Sequence, residues 1–286
     1  MTTLRGPGYS GGRSLFGGKA RWIVALVLVL ISIITYCSST AYNPVTGEDQ
    51  HISLTVDQEI ALGLQAVPQM AAEFGGLDPD QEAQALVDQV GERLVATSAA
   101  HETPYKFEFN LLADNETINA FALPGGPVFI TASLMNRLET EGQLAGVLAH
   151  EIGHVVGRHS AEHIAKAQLT EGLSGAAVIA ASDPENPQSS QQAAAIAAAV
   201  GQIVNMKYGR DDELESDRLG VRFMVEAGYD PRSMIRVMEI LAEAGDGAAR
   251  PPEFFSTHPN PERRIEQIQA AIQEEFPKGV PEGLIQ

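Results

Sequence analysis

The sequence predicts a mainly α-helical fold with a small β-sheet, of the α+β class, and three observations support this prediction. Most of the chain after residue 58 carries apolar residues at helical spacing. The stretch from 105 to 130 is different, because short apolar runs flank Pro124-Gly125-Gly126, a pattern typical of strands joined by a turn. Directly afterwards, residues 144–156 return to helical spacing and carry two histidines four positions apart. We therefore expect one small sheet beside a buried central helix.

Two helices are predicted before the sheet, from the helical spacing of apolar residues and from a signal for a helix N-terminus. Residues 59–70 have helical spacing despite Pro68, and residues 80–97 form a longer amphipathic helix that Asp78-Pro79 opens. The strands that follow are expected at residues 105–112, 120–122 and 128–130, the last two as a hairpin-like pair.

The second half of the chain also predicts helices. Residues 173–204 are rich in alanine around a polar loop at 183–190, and each apolar arm is too short to cross a bilayer. We expect two helices joined by an exposed loop, which is a candidate lid. Residues 245–252 contain glycine and proline and are a candidate hinge. Further helices are expected up to residue 227, up to about residue 244 and from about residue 261.

The N-terminus resembles a targeting segment. Residues 1–21 carry four basic and no acidic side chains, and Trp22 to Tyr36 are almost wholly apolar, a run shorter than the roughly 20 residues of a membrane-spanning helix. Lipid attachment at Cys37, cleavage after Ala41 and retention as an anchor all stay open. Each of them delivers the main domain outside the cytoplasm, to the bacterial periplasm or cell envelope, with residues 22–37 at the membrane. The predicted organisation is a targeting segment at 1–41, a main domain at 44–275 and a tail at 276–286.

The charge of the chain excludes one class of partner. With 19 basic and 37 acidic side chains, the net charge is −18, and the first 21 residues hold four of the basic ones. Nucleic acid binding needs a basic surface. We expect no nucleic acid partner.

The segment His150-Glu151-Ile152-Gly153-His154 contains the residues that predict a metal site and a general base. On a helix, residues four apart share a face, so His150 and His154 are positioned to bind one zinc ion. The neighbouring carboxylate of Glu151 is poorly aimed for ligation, but it is well placed to take a proton from water as a general base.

A zinc hydrolase needs a third protein ligand, and the acidic segment 211–217 supplies a candidate. Glu213 and Asp217 share a helical face, so Glu213 can bind the metal while Asp217 accepts a hydrogen bond from a ligating histidine. The alternative is a solvated acidic helix face.

Four motifs together resemble one enzyme family, the CAAX-protease, HtpX and BepA type of gluzincin zinc metallopeptidase, which is peptidase family forty-eight of the metallo class. The motifs are Asn119-Ala120-Phe121-Ala122-Leu123-Pro124-Gly125-Gly126, the run from His150 to Ser160, Glu213 with Asp217, and Thr257-His258-Pro259 with Arg264. Ser216 stands where the family often has alanine, and the spanning helices of the HtpX branch are not evident. The chain therefore looks nearest to the BepA-like, soluble-domain branch.

The resemblance implies a zincin-like metallopeptidase domain with one zinc ion on His150, His154 and Glu213. It places Asp217 close to the site, often with a proton-donating role. His258 and Arg264 are candidates for a fourth ligand or an oxyanion contact.

An edge strand at Asn119 and Ala120 is expected to hold an extended substrate peptide, with an ordinary structural hairpin as the alternative. The expected activity is hydrolysis of peptide bonds in unfolded or membrane-associated envelope proteins, as part of protein quality control. The alternative is a zinc-containing chaperone or scaffold that binds misfolded envelope proteins with little or no proteolysis.

Overall fold

The structure is a computed structural model that describes residues 18–181, 208–245, 252–258 and 264–286. Most of the basic N-terminal segment, the proposed lid at 183–190 and residues 246–251 of the proposed hinge lie outside the described residues. So does the second alanine-rich arm.

The described residues are mainly helical, as the sequence predicts. The helices are α1 (Gly18–Ser38), α2 (Val56–Glu73), α3 (Gln81–Thr97), α4 (Ala132–Met135), α5 (Glu141–Val156), α6 (His159–Ala181), α7 (Arg210–Glu226), α8 (Ser233–Gly245), α9 (Phe254–Thr257) and α10 (Arg264–Glu275), with a 3-10 turn at Ala99–Glu102. The strands are β1 (Thr40–Tyr42), β2 (Asp49–His51), β3 (Glu108–Leu112), β4 (Ala120–Ala122) and β5 (Pro127–Thr131). The antiparallel pair β1–β2 was not predicted.

The start of α3 follows from local chemistry. Asp80 is the N-cap, and its carboxylate accepts hydrogen bonds from the backbone N–H groups of Glu82 and Ala83 at 3.0 and 3.1 Å. These bonds satisfy two of the helix's first donors, which have no partner within the helix. The predicted helix over 80–97 is therefore confirmed to within one residue.

The three-stranded sheet has the order β3-β5-β4, so β4 lies at an edge. The predicted hairpin is confirmed: β4 runs antiparallel to β5, with Phe121 opposite Phe129. The turn between them needs glycine, because Gly125 and Gly126 have φ angles of +82° and +129°. In addition, β5 pairs in parallel with β3.

On its outer side, β4 pairs with no other strand of the described residues. The Asn119 carbonyl accepts from the Thr131 N–H at 3.0 Å, and the Leu123 N–H donates to the Pro127 carbonyl at 2.8 Å. In an antiparallel ladder, alternate residues point to opposite sides. The main-chain groups of Ala120 and Ala122 therefore face away from β5.

Helix α5 lies at the centre of the domain, where its residues from Gly142 to Val156 are all buried. It packs against the sheet and against α3, α7 and α8. Close packing with α7 is possible because Gly220 lacks a side chain: a Cβ there would lie 3.3 Å from the backbone nitrogen of His150. The central helix is thus held rigidly on several sides.

Helix α1 packs along α6, outside this core. It exposes large apolar side chains, with Trp22 61% and Ile34 64% accessible. Within the described part of the chain, no helix is both long and apolar enough to cross a membrane.

Candidate metal centre

Four side chains from three parts of the chain converge on one point. His150 and His154 come from α5, Glu213 from α7 and His258 from the end of α9. Each offers one ligand-type atom, and these atoms lie within 4.8 Å of one another. All four residues are buried.

The distances between these atoms fit a small tetrahedral ion. The Nε2 atoms of His150 and His154 lie 3.1 Å apart, and His154 Nε2 lies 3.4 Å from Glu213 Oε1. His258 Nδ1 lies 3.1 Å from Glu213 Oε1 and 3.4 Å from His150 Nε2. Ligands about 2.0–2.1 Å from zinc lie about 3.3 Å apart in a tetrahedron. The donor set and its spacing therefore fit zinc.

Glu151 does not belong to this group of ligand-type atoms. It is fully buried, and both of its carboxylate oxygens lack a hydrogen-bond partner among the described residues. His258 Nε2 lies 3.6 Å from Glu151 Oε1 and also lacks a partner there. Buried unpaired carboxylate oxygens are destabilising, so they mark a group whose partner comes from outside the protein.

Asp217 and Arg264 form a buried ion pair behind His150. Arg264 donates from Nε to Asp217 Oδ2 at 2.6 Å and from Nη2 to Asp217 Oδ1 at 2.8 Å. Asp217 Oδ1 also lies 2.9 Å from His150 Nδ1. A carboxylate in this position fixes the orientation of the ring and leaves Nε2 free for a metal.

The ion pair affects the protonation of Asp217 and the contacts of Arg264. Burial alone raises the pKa of Asp217, but the Arg264 guanidinium and the His150 contact hold it below the ordinary value. The lowered pKa favours the ionised carboxylate of Asp217, which the ion pair with Arg264 requires. Arg264 contacts Glu213 as well as Asp217, because its Nη1 lies 3.0 Å from Glu213 Oε2.

His154 has further partners besides the ligand-type group. Its Nδ1 lies 2.9 Å from His159 Nδ1, and His159 Nε2 lies 2.7 Å from Glu215 Oε2. Tyr208 stacks on the His154 ring, with 3.8 Å between the ring centroids. The sequence motif that continues from His154 to His159 indicated a contact of His159 with the site. Nothing in the sequence indicated the contact of Tyr208.

Two further contacts support the neighbouring groups. Phe254 stacks on the His258 ring, with a centroid distance of 4.5 Å. His163 Nε2 lies 2.6 Å from Asp212 Oδ2 and ties α6 to the start of α7.

The protonation of the ligand-type groups follows from burial and mutual contact. Burial lowers the pKa of His154 well below its ordinary value, which favours the neutral ring that binds metals. Burial raises the pKa of Glu213, but the three neighbouring histidines outweigh it and hold that pKa well below the usual range. For His150, burial and Arg264 lower the pKa, whereas Asp217 and Glu213 raise it to about 9.

The edge strand and the histidine cluster share a cleft. Asn119 and Ala122 line a cavity of 370 Å³ together with Tyr208 and His258. Asn119 is buried, and its Oδ1 has no hydrogen-bond partner among the described residues. Ala120, the first residue of β4, is fully buried and is not among the described residues that line this cavity.

Two histidines and a glutamate on crossing helices, with a buried free carboxylate beside them, define a metallohydrolase of the H-E-x-x-H type. Residues 81–272 match Peptidase family M48. The chain belongs to this family and carries a metallopeptidase domain, which confirms the family that the motifs indicated.

Curated relatives agree with this assignment. The chain is 33% identical over 224 residues to the beta-barrel assembly-enhancing protease of Yersinia pestis, covering 78% of this chain and 45% of that protein. The protein of that name from Escherichia coli (strain K12) is 31% identical over 257 residues, which are 84% of this chain and 50% of the relative. The mitochondrial metalloendopeptidase OMA1 of Schizosaccharomyces pombe is 29% identical over 258 residues, covering 90% and 73%. The chain spans about half the length of the bacterial relatives.

Proposed function

We propose that the protein is a zinc-dependent endopeptidase that cuts unfolded or membrane-associated proteins of the cell envelope. The observation that carries this proposal is the tetrahedral spacing of His150, His154 and Glu213 beside the unpaired carboxylate of Glu151. A zinc ion bound there supplies Lewis acidity that polarises a peptide carbonyl and makes water more acidic.

The side chains of the protein have separate roles in the proposed reaction. Glu151 accepts the proton of the attacking water on its carboxylate and then delivers it to the leaving amine nitrogen. Its two unpaired oxygens and its position one residue after His150 support this assignment. Asp217 holds the His150 ring from the Nδ1 side, so that Nε2 stays aimed at the metal.

Substrate binding is assigned to the edge of β4. The main-chain groups of Ala122 face away from β5 beside the cavity and are suited to pair with an extended peptide as an added strand, whereas Ala120 is fully buried. Asn119 Oδ1 lines the same cavity without a partner and is suited to accept a main-chain N–H. Recognition of the main chain requires little sequence preference, which suits unfolded substrates.

We further propose that His258 is a fourth ligand in a resting state. Its Nδ1, and not its Nε2, faces the other ligand-type atoms. A zinc site with four protein ligands has no open position and is inactive. The protein then needs a displacement of α9 before it cuts.

Location at a membrane is supported by α1. Its exposed apolar side chains would be covered by lipid if residues 22–37 attach the protein to the envelope. The name of the bacterial relatives, beta-barrel assembly-enhancing protease, fits a role in envelope protein quality control.

Metal analysis and proteolysis of casein test the proposal together. Wild type should contain one zinc per chain and fragment casein. Glu151→Gln should keep the zinc and lose cleavage, whereas alanine at His150, His154 or Glu213 should lose both. Glu171→Gln, an exposed change on α6, is the matched control and should behave as wild type.

Two outcomes would reject parts of the proposal. Full zinc retention in Glu213→Ala would reject the ligand set. Casein binding without cleavage, in wild type and His258→Ala alike, would instead favour the zinc-containing chaperone or scaffold. Substrates that accumulate in a strain carrying Glu151→Gln, identified by mass spectrometry, test the assignment to envelope proteins.

A further inference from the structure

The cavity beside β4 is also lined by residues that the proposed reaction does not use. They come from α2, from the loop after β3 and from the residue before α9, and they line the cavity together with Tyr208 and His258. The cavity volume is 370 Å³, enough for one long side chain beside the main chain of a bound peptide. It is therefore a candidate side-chain subsite.

A buried polar atom indicates that this cavity takes a ligand. The Asn119 side chain is 2% exposed and lines the cavity, and its Oδ1 has no hydrogen-bond partner among the described residues. An unpaired buried acceptor costs about 1–3 kcal/mol, so such groups usually have a partner. A peptide N–H would be that partner.

The lining of the cavity combines acidic and apolar side chains. Glu73, Asp114 and Glu253 line the cavity, and no lysine or arginine does so within the described part of the chain. Tyr208 and His258 are the further titratable side chains among the described lining residues. The His258 ring is turned toward the metal ligands. The charge facing a bound side chain is therefore negative.

Asp114 is fixed in position. Its Oδ1 accepts the backbone N–H of Glu116 at 2.7 Å and of Thr117 at 2.8 Å. Burial raises its pKa, but these hydrogen bonds outweigh burial and lower it, so Asp114 is ionised at neutral pH. Glu73 and Glu253 are exposed, and both are free to follow a bound cation.

Part of the cavity lining is aromatic. Phe121 is buried and packs between Phe129, at a centroid distance of 4.9 Å, and Phe74, at 5.3 Å. Phe74 and Phe121 line the cavity together with Met70. Such a surface accommodates the aliphatic stem of a long side chain, and ring faces attract a cation.

We propose that this cavity is a subsite for a lysine or arginine side chain of the substrate, next to the main chain held on β4. The inference rests on the proposed peptidase function and names its substrate class: polypeptides with a basic residue close to the cut bond. Aspartate and glutamate are disfavoured there, because they would face three carboxylates at close range.

Cleavage profiling tests this subsite. The whole chain digests a peptide library made from a denatured proteome, and mass spectrometry reads the residues around each cut. We expect one position near the cut bond where basic residues are favoured over acidic ones by about tenfold, which corresponds to about 1.4 kcal/mol. Raising the ionic strength should weaken this preference, because the outer carboxylates are exposed.

Variants connect the preference to the cavity. The double variant Glu73→Gln with Glu253→Gln should reduce the preference to about threefold or less, and Glu73→Lys with Glu253→Lys should reverse it. Glu102→Lys, an exposed change outside this cavity, is the matched control and should keep the wild-type profile. Equal profiles in wild type and the double variants would overturn the proposal.

A binding measurement separates the subsite from the reaction. Fluorescein-labelled peptides that differ by one central lysine or glutamate are titrated into the Glu151→Gln chain. About tenfold tighter binding of the lysine peptide supports the subsite, and equal affinities overturn it. If no variant cuts the library while this binding preference is present, the peptidase function fails and the subsite stands.

Discussion

Gly153 of α5 lies directly against Ser216 of α7. A Cβ on Gly153 would lie 3.0 Å from the carbonyl oxygen of Ser216 and 3.1 Å from the Cα atom of Ser216. This contact lies close to the ligand-type side chains, since Gly153 directly precedes His154 and Ser216 follows Glu213 by three residues. The closeness of the two backbones is what brings Glu213 to His150 and His154.

Gly153→Ala should therefore weaken metal binding through packing alone. The added methyl group meets backbone atoms, so α7 must shift away from α5. Overpacking of this kind costs about 1–3 kcal/mol. We expect a lower melting temperature and reduced zinc content, measured by calorimetry and by elemental analysis.

Ser216→Ala is the matched control for this packing prediction. It keeps the small Cβ at the crossing and introduces the residue that the family often has there. Its zinc content should equal that of wild type. A Gly153→Ala protein with full zinc content and unchanged stability would contradict the prediction.

Asp217→Asn should leave the metal ligands in place but orient His150 poorly. The amide cannot replace the ionised oxygen that lies 2.9 Å from His150 Nδ1. Loss of such a partner lowers metal affinity or activity by about 10–100-fold. Casein turnover and zinc affinity measure the effect, and unchanged values for both would contradict the assigned role.

A control is needed because Asp217 also pairs with Arg264 inside the protein. Removing one partner of a buried ion pair destabilises a protein by about 3–5 kcal/mol. Thermal unfolding of Asp217→Asn must therefore be measured alongside turnover. Asp211→Asn, on the exposed side of the same helix, should leave turnover and stability unchanged.

The sequence predicted the parts of the site that repeat at fixed spacing. His150 and His154 share a face because they lie four residues apart, and Glu213 and Asp217 do so for the same reason. The contact between Asp217 and a ligating histidine also follows from that spacing once α5 and α7 cross. Local periodicity determines which side chains share a helix face.

Contacts between distant parts of the chain were not predictable in this way. Nothing in the sequence around Tyr208 indicates that its ring stacks on His154, 54 residues earlier. Likewise, the side-chain amides of Asn43, directly after β1, and of Gln50 in β2 donate to the carbonyls of Val156 and Gly157 at the end of α5. Tertiary packing decides such pairs, and a single sequence carries no periodic signal for them.

Asp230 should make the stability of the protein depend on pH at acid values. Its carboxylate accepts hydrogen bonds from the Arg232 backbone N–H at 2.9 Å and from the Gln286 side chain at 2.6 Å. Burial raises its pKa, but the Arg232 contacts outweigh burial and lower it. A carboxylate with a lowered folded-state pKa stabilises the protein above its unfolded pKa of about 3.9, and this stabilisation is lost as the pH falls through the folded pKa.

Asp230→Asn should thus lower the free energy of unfolding at pH 7 by roughly 1–3 kcal/mol. At pH 3 the difference from wild type should be clearly smaller. Urea unfolding at both pH values measures it. A difference of the same size at both would show that Asp230 acts through something other than its charge.

His258→Ala distinguishes a resting-state ligand from a catalytic group. If the imidazole closes the fourth position of the metal, its removal opens that position while His150, His154 and Glu213 still hold the ion. The variant should then cut casein, or itself, faster than wild type. If the imidazole instead stabilises the oxyanion, turnover should fall by roughly 100-fold or more.

The geometry favours the faster rate. His258 Nδ1 lies 3.1 Å from Glu213 Oε1 and 3.4 Å from His150 Nε2, which are distances between neighbouring ligands of one ion. The initial rate of casein cleavage and the zinc content are measured on the same preparation, with His101→Ala, an exposed histidine far along the chain, as the matched control. A His258→Ala rate equal to that of wild type, with full zinc content, would contradict both roles and leave His258 as a packing residue against Phe254.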